Sequence, residues 1–163
     1  MKEKAIVIGP STTGKSTLVA YFRENTAVPV SESDEELTRM NGGTYPHGFE
    51  YRMAHIVPKM IEDILGQERM IFFSNTHYFA PDDLIKARQK KFKVMQLSLA
   101  RELMVSRSKY RQEHDGYEDH TQYFDSMLAY QQDILERGLV DNVIDTNKPV
   151  QEIAAEILQK LEG

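Results

Sequence analysis

The sequence predicts an α/β fold in which helices cover both faces of a five-stranded parallel sheet, with a small lid. Three observations lead to this class. Short apolar runs alternate with longer segments whose apolar residues recur at i, i+3, i+4 and i+7. The first run, Ala5 to Ile8, leads into a glycine-rich loop and then a helical segment. The last segment, 150–161, is an amphipathic helix. Such alternating units with right-handed crossovers produce a three-layer parallel architecture.

The loop after the first strand matches the pattern G-x-x-x-x-G-K-[ST] and reads Gly9-Pro10-Ser11-Thr12-Thr13-Gly14-Lys15-Ser16. In a strand, loop and helix context, such a loop turns its backbone N–H groups toward an anion, and the following helix presents its positive end. Lys15 is expected to reach the β- and γ-phosphates of ATP, and the Ser16 hydroxyl to coordinate Mg²⁺. The pattern therefore predicts a phosphate-binding P-loop that binds ATP and Mg²⁺ through these residues and Thr17.

Length and composition limit the classes of protein. A chain of 163 residues with a net charge of −5 is predicted to be one domain, 1–163, without broad affinity for nucleic acid. The absence of cysteine excludes disulfides and thiolate metal sites. No signal-like segment precedes the first strand, and no apolar run approaches the roughly 18 residues of a membrane span. We expect a cytoplasmic protein that does not bind a membrane, and the oligomeric state stays open.

The remaining elements follow from periodicity and turn residues. Val28 to Val30 is predicted as a short strand in which Pro29 indicates either a sheet edge or an irregular start, and 50–65 as one amphipathic helix ended by Gly66. The other predicted strands are 70–73, 92–97 and 142–146, and the other predicted helices are 15–25, 82–91, 101–111 and 121–137. Tyr123 and Leu135 are among the residues expected to face the core from the helix 121–137.

An acidic segment, 31–36, follows the second strand and is predicted to be a loop. In a doubly wound fold this loop lies beside the P-loop, at the carboxyl ends of the strands. A carboxylate there, Asp34 or Glu32, can hold Mg²⁺ or take a proton from an attacking hydroxyl. The alternative is a solvated charge run in which Asp34 caps the next helix.

The segment Ser74 to His77 follows the third strand at the same predicted edge. Many P-loop proteins carry a metal-binding aspartate there, but this segment contains none, so we expect the metal's carboxylate partner in 32–34. Asn75 and His77 are candidates for contact with a substrate, and the alternative for His77 is a partly exposed histidine without such a role. Arg52 is a candidate anion-binding residue, with an ordinary surface arginine as the alternative.

Two arginines on the helix after the fourth strand, Arg107 and Arg111, are four positions apart and share one helix face. With the polar stretch that follows, they predict a lid at about 107–122 that brings positive charge to a phosphoryl group during transfer and excludes water. Ordinary surface arginines at a basic helix end are the alternative. A second basic cluster, 86–93, is expected to be a solvated helix end rather than a nucleic-acid site.

Taken together, the chain resembles small P-loop kinases of the nucleoside monophosphate kinase-like group. From Gly9 to Asp34 it resembles shikimate kinases, in which Asp-Ser-Asp stands where this chain has Glu32-Ser33-Asp34. That resemblance implies that Glu32 and Asp34 serve Mg²⁺ and the substrate hydroxyl. The second half is similar to polynucleotide 5′-kinases, which carry Ser-Asp-Thr-Asn at the position of 74–77. By analogy, Arg107 or Arg111 and the loop residues Thr146, Asn147 and Pro149 hold the adenine.

The sequence leads to one main functional hypothesis and two alternatives. The main hypothesis is an ATP- and Mg²⁺-dependent kinase that phosphorylates a hydroxyl of a small metabolite or nucleoside, with Lys15, Asp34, Arg107 and Arg111 as catalytic residues. The first alternative is the same chemistry on a nucleotide or a polynucleotide 5′ end. The second is a nucleotide-binding switch or sensor without phosphotransfer. The sequence does not identify the acceptor.

Overall fold

The structure is a computed structural model that describes residues 3–162, and in this range it contains one sheet of five parallel strands. The strands are β1 (Lys4–Ile8), β2 (Val30–Glu32), β3 (Met70–Ser74), β4 (Lys93–Ser98) and β5 (Asn142–Asp145). The helices are α1 (Lys15–Asn25), α2 (Ser33–Met40), α3 (Phe49–His55), α4 (Val57–Leu65), α5 (Pro81–Gln89), α6 (Arg101–His114), α7 (Phe124–Glu136) and α8 (Val150–Glu162). The strand order is β2-β3-β1-β4-β5. The predicted α/β class is confirmed.

Alternation along the strands produces two apolar layers, one on each face of the sheet. In β1, Ile6 and Ile8 pack with α4, α5 and α7, whereas Ala5 and Val7 pack with α1 and α8. All four side chains are fully buried. Both faces of the central strand therefore lie in a core, which explains why its sequence is a continuous apolar run. None of the helices in residues 3–162 is long and apolar enough to cross a membrane.

The parallel register aligns the carboxyl ends of the strands at one edge of the sheet. Ile8, the last residue of β1, pairs with Ser74 at the end of β3 and with Gln96 in β4. The loops that leave β1, β2 and β3 consequently start side by side, as expected for ligand-binding loops in this class of sheet. Strand β2 is the outer strand on one side of the sheet, one of the two possibilities indicated by Pro29, but it comprises Val30–Glu32 rather than the predicted 28–30.

The single helix predicted over 50–65 is wrong, because the structure divides this segment into α3 and α4. Ile56 lies between them with φ −120° and ψ −48°. Pro58 has no N–H to donate to the carbonyl of Ala54 four residues upstream, and its ring would clash with that carbonyl in a continuous helix. Within α4 it is tolerated because it occupies the first turn. The break separates α3, which has no buried residue, from α4, which packs in the core.

Several other boundaries also differ from prediction. The acidic segment 31–36 is not a loop, because Ser31 and Glu32 end β2 and α2 begins at Ser33. The helix predicted to break at 112 continues to His114 as α6. Tyr123 and Leu135, expected to face the core, are 52% and 41% exposed. A short 3₁₀ turn at Thr121–Tyr123 precedes α7, so the helix predicted over 121–137 begins only at Phe124.

Two neighbouring residues of α5 provide a test of the core. Leu84 is fully buried, whereas Ile85 is 42% exposed. Leu84→Ala should lower the free energy of unfolding by about 2–5 kcal/mol, because it removes buried methyl groups and leaves a cavity. Ile85→Ala, the matched control, should change it by no more than about 0.5 kcal/mol. Urea unfolding followed by circular dichroism measures both, and equal losses would contradict the described packing.

Candidate active site

The P-loop between β1 and α1 folds around its own lysine. The Lys15 Nζ atom donates hydrogen bonds to the carbonyl oxygens of Gly9, at 2.7 Å, and Pro10, at 2.9 Å. The Thr13 hydroxyl closes the turn by donating to the Pro10 carbonyl at 2.7 Å. Gly14 precedes α1 with φ +86°, a left-handed conformation that favours glycine. Lys15 is thus held at the mouth of the loop, beside the positive end of α1.

Gly9 is required for a different reason, which is space. A Cβ atom at this position would lie 2.6 Å from Thr13 Oγ1 and 3.1 Å from the Cβ atom of Leu97 in β4. The loop therefore passes so close to its own turn and to the next strand that only glycine fits without displacement.

Burial and nearby charges act on the pKa of Lys15. Burial lowers the pKa of Lys15 to about 8, and the nearby Arg111 acts in the same direction. The carboxylates of Asp34 and Glu32 oppose this shift. A bound polyphosphate would raise this pKa again, because it brings negative charge to the ammonium group.

Ser16 and Glu32 form a pair suited to a divalent cation. The Ser16 hydroxyl donates to Glu32 Oε2 at 3.2 Å, which joins the start of α1 to the end of β2. Adjacent ligands of an octahedral Mg²⁺ are about 2.9 Å apart, so the two oxygens fit one coordination sphere. Burial, and then the charges of Glu35 and Asp34, raise the pKa of Glu32, while the hydrogen bond from Ser16 and the charge of Lys15 act in the opposite direction. No cluster of three or more histidine, aspartate or glutamate residues suited to a metal occurs in residues 3–162.

Asp34 lies in the first turn of α2 and is exposed. Its Oδ1 atom accepts a hydrogen bond from the Asn75 side-chain amide at 3.2 Å. This contact joins the segment after β2 to the segment after β3. Asp34 does not act as a side-chain cap of α2, because Glu32 occupies the N-cap position and no side-chain cap bond is made.

Arg52 is held between two aromatic rings, over Tyr45 at 5.3 Å and over Phe49 at 5.7 Å from the ring centroids. One terminal nitrogen donates to the Pro46 carbonyl at 3.1 Å, while the Nε atom is buried without a hydrogen-bond partner. Burial, above all, raises the pKa of Tyr45, and the charge of Asp34 adds to this shift while Arg52 opposes it. Asp34 and Arg52 therefore act on the same phenol.

His77 faces α7. One ring nitrogen lies 3.1 Å from the Thr76 hydroxyl, the other lies 3.1 Å from the Ser126 hydroxyl, and the ring packs against Tyr130. Burial lowers the pKa of His77. Its φ of +78° is unusual for a histidine and turns the chain sharply after β3. Both ring nitrogens thus have partners within the protein.

A cavity of ≈ 380 Å³ lies beside the P-loop and is bordered by both predicted lid arginines. Arg107 donates to the Thr12 carbonyl at 2.9 Å, and Arg111 lies over the Tyr117 ring at 5.5 Å. The other lining residues are Thr12, Thr13, Gly14, Thr17, Leu18, Tyr110, Asp115, Thr146, Lys148, Val150 and Ile153. Residues of the P-loop, α1, α6, the loop after β5 and α8, from distant parts of the sequence, therefore surround one space next to the phosphate loop.

The loop after β5 borders this cavity through two of its residues. Thr146 is buried and bonded to Ser98, and Lys148 forms an ion pair with Glu156. Asn147, whose backbone N–H donates to Asp145 Oδ1 at 2.9 Å, and Pro149, whose carbonyl accepts from α8, hold the loop in shape. The sequence reasoning included Thr146, Asn147 and Pro149 but missed Lys148 between them.

Two further residues were missed by sequence reasoning. Tyr110 borders the cavity one turn after Arg107, and that i, i+3 spacing could have identified it. Gln131 is buried, and its amide nitrogen lies within hydrogen-bonding distance of the carbonyls of Ile8, at 3.4 Å, and Leu97, at 3.0 Å. It supports the strand ends beneath the P-loop. A glutamine on the apolar face of α7 was the available signal.

The basic cluster 86–93 lies at the opposite edge of the sheet, where β4 begins. A depression of ≈ 520 Å³ there is lined by Arg88, Lys91 and Lys93, among others. Arg88 bonds to Gly138 and Asp141, and Lys93 bonds to the Lys160 carbonyl. A strand of this length separates the cluster from the P-loop edge by about 15–20 Å.

Comparison with known proteins identifies the fold through solved structures. No family model and no curated protein matches this sequence. A shikimate kinase from Acinetobacter baumannii, solved in complex with shikimate, superposes with a TM-score of 0.75 over 98% of this chain and 92% of its own, at 20% identity. The chain has the shikimate kinase fold. A shikimate kinase from Aquifex aeolicus gives 0.72 at 19% identity over 98% and 96% of the two chains. A gluconokinase from Sinorhizobium meliloti gives 0.61 at 20% identity over 98% and 91%.

The close approach at Gly9 predicts that Gly9→Ala disrupts the P-loop. The added Cβ atom would lie 2.6 Å from Thr13 Oγ1, so the Thr13 hydroxyl must move and its hydrogen bond to the Pro10 carbonyl is disturbed. We expect at least about a tenfold loss of affinity for inorganic tripolyphosphate, which corresponds to one charge-assisted hydrogen bond. Gly66→Ala is the matched control, because its Cβ would make only ordinary contacts at 3.5 Å. Calorimetry measures both, and full affinity in Gly9→Ala would contradict the described loop.

The pKa of Lys15 predicts a pH dependence of phosphate binding. With a free pKa of about 8 that rises on binding, the contribution of Lys15 to tripolyphosphate affinity should be nearly constant below that pH and fall above it. In Lys15→Arg the side chain stays charged, so its affinity should change with pH only through the titration of tripolyphosphate itself. The ratio of the native affinity to the Lys15→Arg affinity, measured by calorimetry, should therefore fall between about pH 7.5 and 9.5. A constant ratio across this range would refute the shift.

Proposed function

We propose that this protein is an ATP- and Mg²⁺-dependent phosphotransferase acting on a hydroxyl group of a small metabolite or nucleoside. The observation that carries the proposal is the arrangement at the carboxyl edge of the sheet. There the P-loop lysine Lys15 faces two carboxylates of different surroundings, Glu32 on the Ser16 hydroxyl and Asp34 on the Asn75 amide. One carboxylate, Glu32, is thus available on the ATP and Mg²⁺ side of the site, and the other, Asp34, on the acceptor side. The solved structures with this fold are named as kinases of small metabolites.

The donor half of the site consists of the P-loop and the adjoining cavity. The backbone N–H groups of the loop and the start of α1 suit the phosphates of ATP. Lys15 now donates to two loop carbonyls and would exchange them for phosphate oxygens. The nucleoside fits the cavity of ≈ 380 Å³ bordered by Arg107, Tyr110 and the loop after β5.

The pair formed by Ser16 and Glu32 is the proposed metal site. Two protein oxygens are sufficient, because Mg²⁺ usually completes its shell with phosphate oxygens and water. When bound, Mg²⁺ would neutralise part of the charge on the β- and γ-phosphates. Asp34 was also a candidate metal ligand, but its contact with Asn75 favours the acceptor side.

Asp34 is the proposed catalytic base. The acceptor hydroxyl oxygen attacks the γ-phosphorus of ATP, the bond to the bridging oxygen of ADP breaks, and the hydroxyl proton passes to Asp34. Arg52, with its unpartnered Nε atom, is the proposed contact for an anionic or oxygen-rich group of the acceptor. Asn75 contacts Asp34 directly and so borders the proposed acceptor position, whereas the ring nitrogens of His77 are engaged by Thr76 and Ser126.

The segment at about 107–122 is the proposed lid within a single domain, 1–163. Arg111 acts electrostatically on Lys15, which supports a role toward the transferred phosphoryl group. Arg107 bonds to the P-loop backbone at Thr12, which supports a role in holding the loop and the nucleoside. In enzymes that depend on such an arginine, its loss costs roughly 10³- to 10⁵-fold in rate.

The alternative acceptor, a polynucleotide 5′ end, gains no support from the basic cluster. Arg88 and Lys93 bond to carbonyl oxygens of their own chain at the edge remote from the P-loop. A strand bound there would have to extend around the domain to reach Lys15. A small acceptor bound at Asp34 needs no such path.

A turnover assay tests the proposal. ADP formation from ATP and Mg²⁺ is measured with a panel of hydroxy acids, cyclic polyols, sugars, nucleosides and oligonucleotide 5′ ends. We expect one class of small acceptor to stimulate ADP formation. Lys15→Ala should abolish the stimulated rate, and Asp34→Asn should lower kcat by about 10²- to 10⁴-fold, the range for loss of a general base.

The matched control is Asp63→Asn, which changes a surface carboxylate of α4 paired with Lys59. It should leave kcat unchanged. ATP binding in the native protein without stimulation by any acceptor of the panel would contradict the kinase proposal and favour a nucleotide sensor.

A further inference from the structure

Asn75 makes a long-range contact with the proposed catalytic base. It is the first residue after β3, and its side-chain amide donates to Oδ1 of Asp34 at 3.2 Å across 41 sequence positions. Among residues 3–162, no ion pair involves Asp34, and the Asn75 amide is its hydrogen-bond donor. The orientation of this carboxylate therefore depends on Asn75.

The backbone of Asn75 is itself fixed from both sides by hydroxyl groups. Its N–H donates to the Ser33 hydroxyl at 3.2 Å, and its carbonyl accepts from the Ser74 hydroxyl at 2.9 Å. Ser33 and Ser74 are 2% and 0% exposed, so neither hydroxyl competes freely with water. The amide of Asn75 consequently projects from an anchored segment at the end of a core strand.

Asp34, in contrast, has little else to hold its side chain. It is exposed and lies in the first turn of α2 without capping that helix. An exposed aspartate normally exchanges among staggered χ1 rotamers. One of its rotamers is selected by the amide contact, and this leaves the second oxygen, Oδ2, without a protein donor.

We propose that Asn75 is a positioning residue that orients the Asp34 carboxylate toward the acceptor hydroxyl. This inference rests on the proposed function, since it deepens the role given there to Asp34. The amide fixes Oδ1, and Oδ2 accepts the hydroxyl proton. General-base catalysis requires such geometry, because the base must lie within hydrogen-bonding reach of the proton it removes.

A neutral amide suits this position better than a charged group. An aspartate at position 75 would repel Asp34 and compete for the metal held by Ser16 and Glu32. An arginine or lysine there would form an ion pair with Asp34 and weaken it as a base. The absence of an acidic residue after β3 is thus explained by the presence of a donor for the carboxylate of α2.

Scalar couplings measured by NMR test the positioning without any turnover. The three-bond couplings from the Asp34 carboxyl carbon to its own backbone nitrogen and carbonyl carbon report χ1. We expect values of a single rotamer in the native protein and averaged values in Asn75→Ala. Glu35→Gln is the matched control, because it alters the same turn of α2 and weakens the pair with Arg23 without removing the contact from Asn75 to Asp34. It should leave the Asp34 couplings unchanged.

Kinetics on the acceptor found by the panel provide the second readout. Asn75→Ala should lower kcat about 10- to 100-fold, as expected for loss of a hydrogen bond to a charged group. The KM for ATP and the KM for the acceptor should change little. Asn75→Asp keeps the shape but removes the donor, so its kcat should fall at least as far. Urea unfolding and an NMR spectrum of the backbone amide groups test whether each variant is folded.

Three outcomes would overturn the inference. The first is a single Asp34 rotamer in Asn75→Ala, and the second is averaged couplings with an unchanged kcat. The third is a raised KM for the acceptor at constant kcat, which would make Asn75 a direct substrate contact. A native protein without turnover would refute the proposed function alone, and the couplings would still decide whether Asn75 orients Asp34.

Discussion

The site depends on the parallel pairing of β1 between β3 and β4. Because Ile8 pairs with Ser74 on one side and Gln96 on the other, the P-loop and the segment at Asn75 leave the sheet at the same level. The edge strand β2 extends this level to Glu32, which pairs with Phe73. Burial of β1 on both faces makes the register costly to change, since a shift of one residue would move each side chain into the core on the opposite face, where it does not fit the packing.

On this frame the protein holds charges that it does not neutralise internally. The Lys15 ammonium donates to backbone carbonyls, and Glu32 and Asp34 accept from a hydroxyl and an amide. Each of these polar groups is satisfied by a neutral partner of the chain. Neutral partners keep the charges in place and leave them available to an incoming ligand, whereas internal ion pairs would consume them. The basic cluster at the other edge shows the opposite case, because Arg88 is paired with Asp141.

Sequence reasoning succeeded where the deciding interactions are local. The P-loop lies within eight consecutive residues, and the strand and helix beside it have clear periodicity, so its location followed directly. It failed where one residue overrode a pattern, as Pro58 did for 50–65. It also failed at β2, where the polar residues Ser31 and Glu32 are in a strand because the partner β3 supplies the ladder. An isolated tripeptide carries no such signal.

The sequence by itself determined the α/β class, the phosphate loop at Gly9 to Ser16 and the set of charged residues from which a site can be built. Only the tertiary structure decided which of them act together. The amide of Asn75 meets Asp34 across 41 positions, and Arg107 meets the Thr12 carbonyl across 95. Contacts at such separation are set by the register of the sheet and the packing of helices on it. No local pattern of spacing or propensity contains that information.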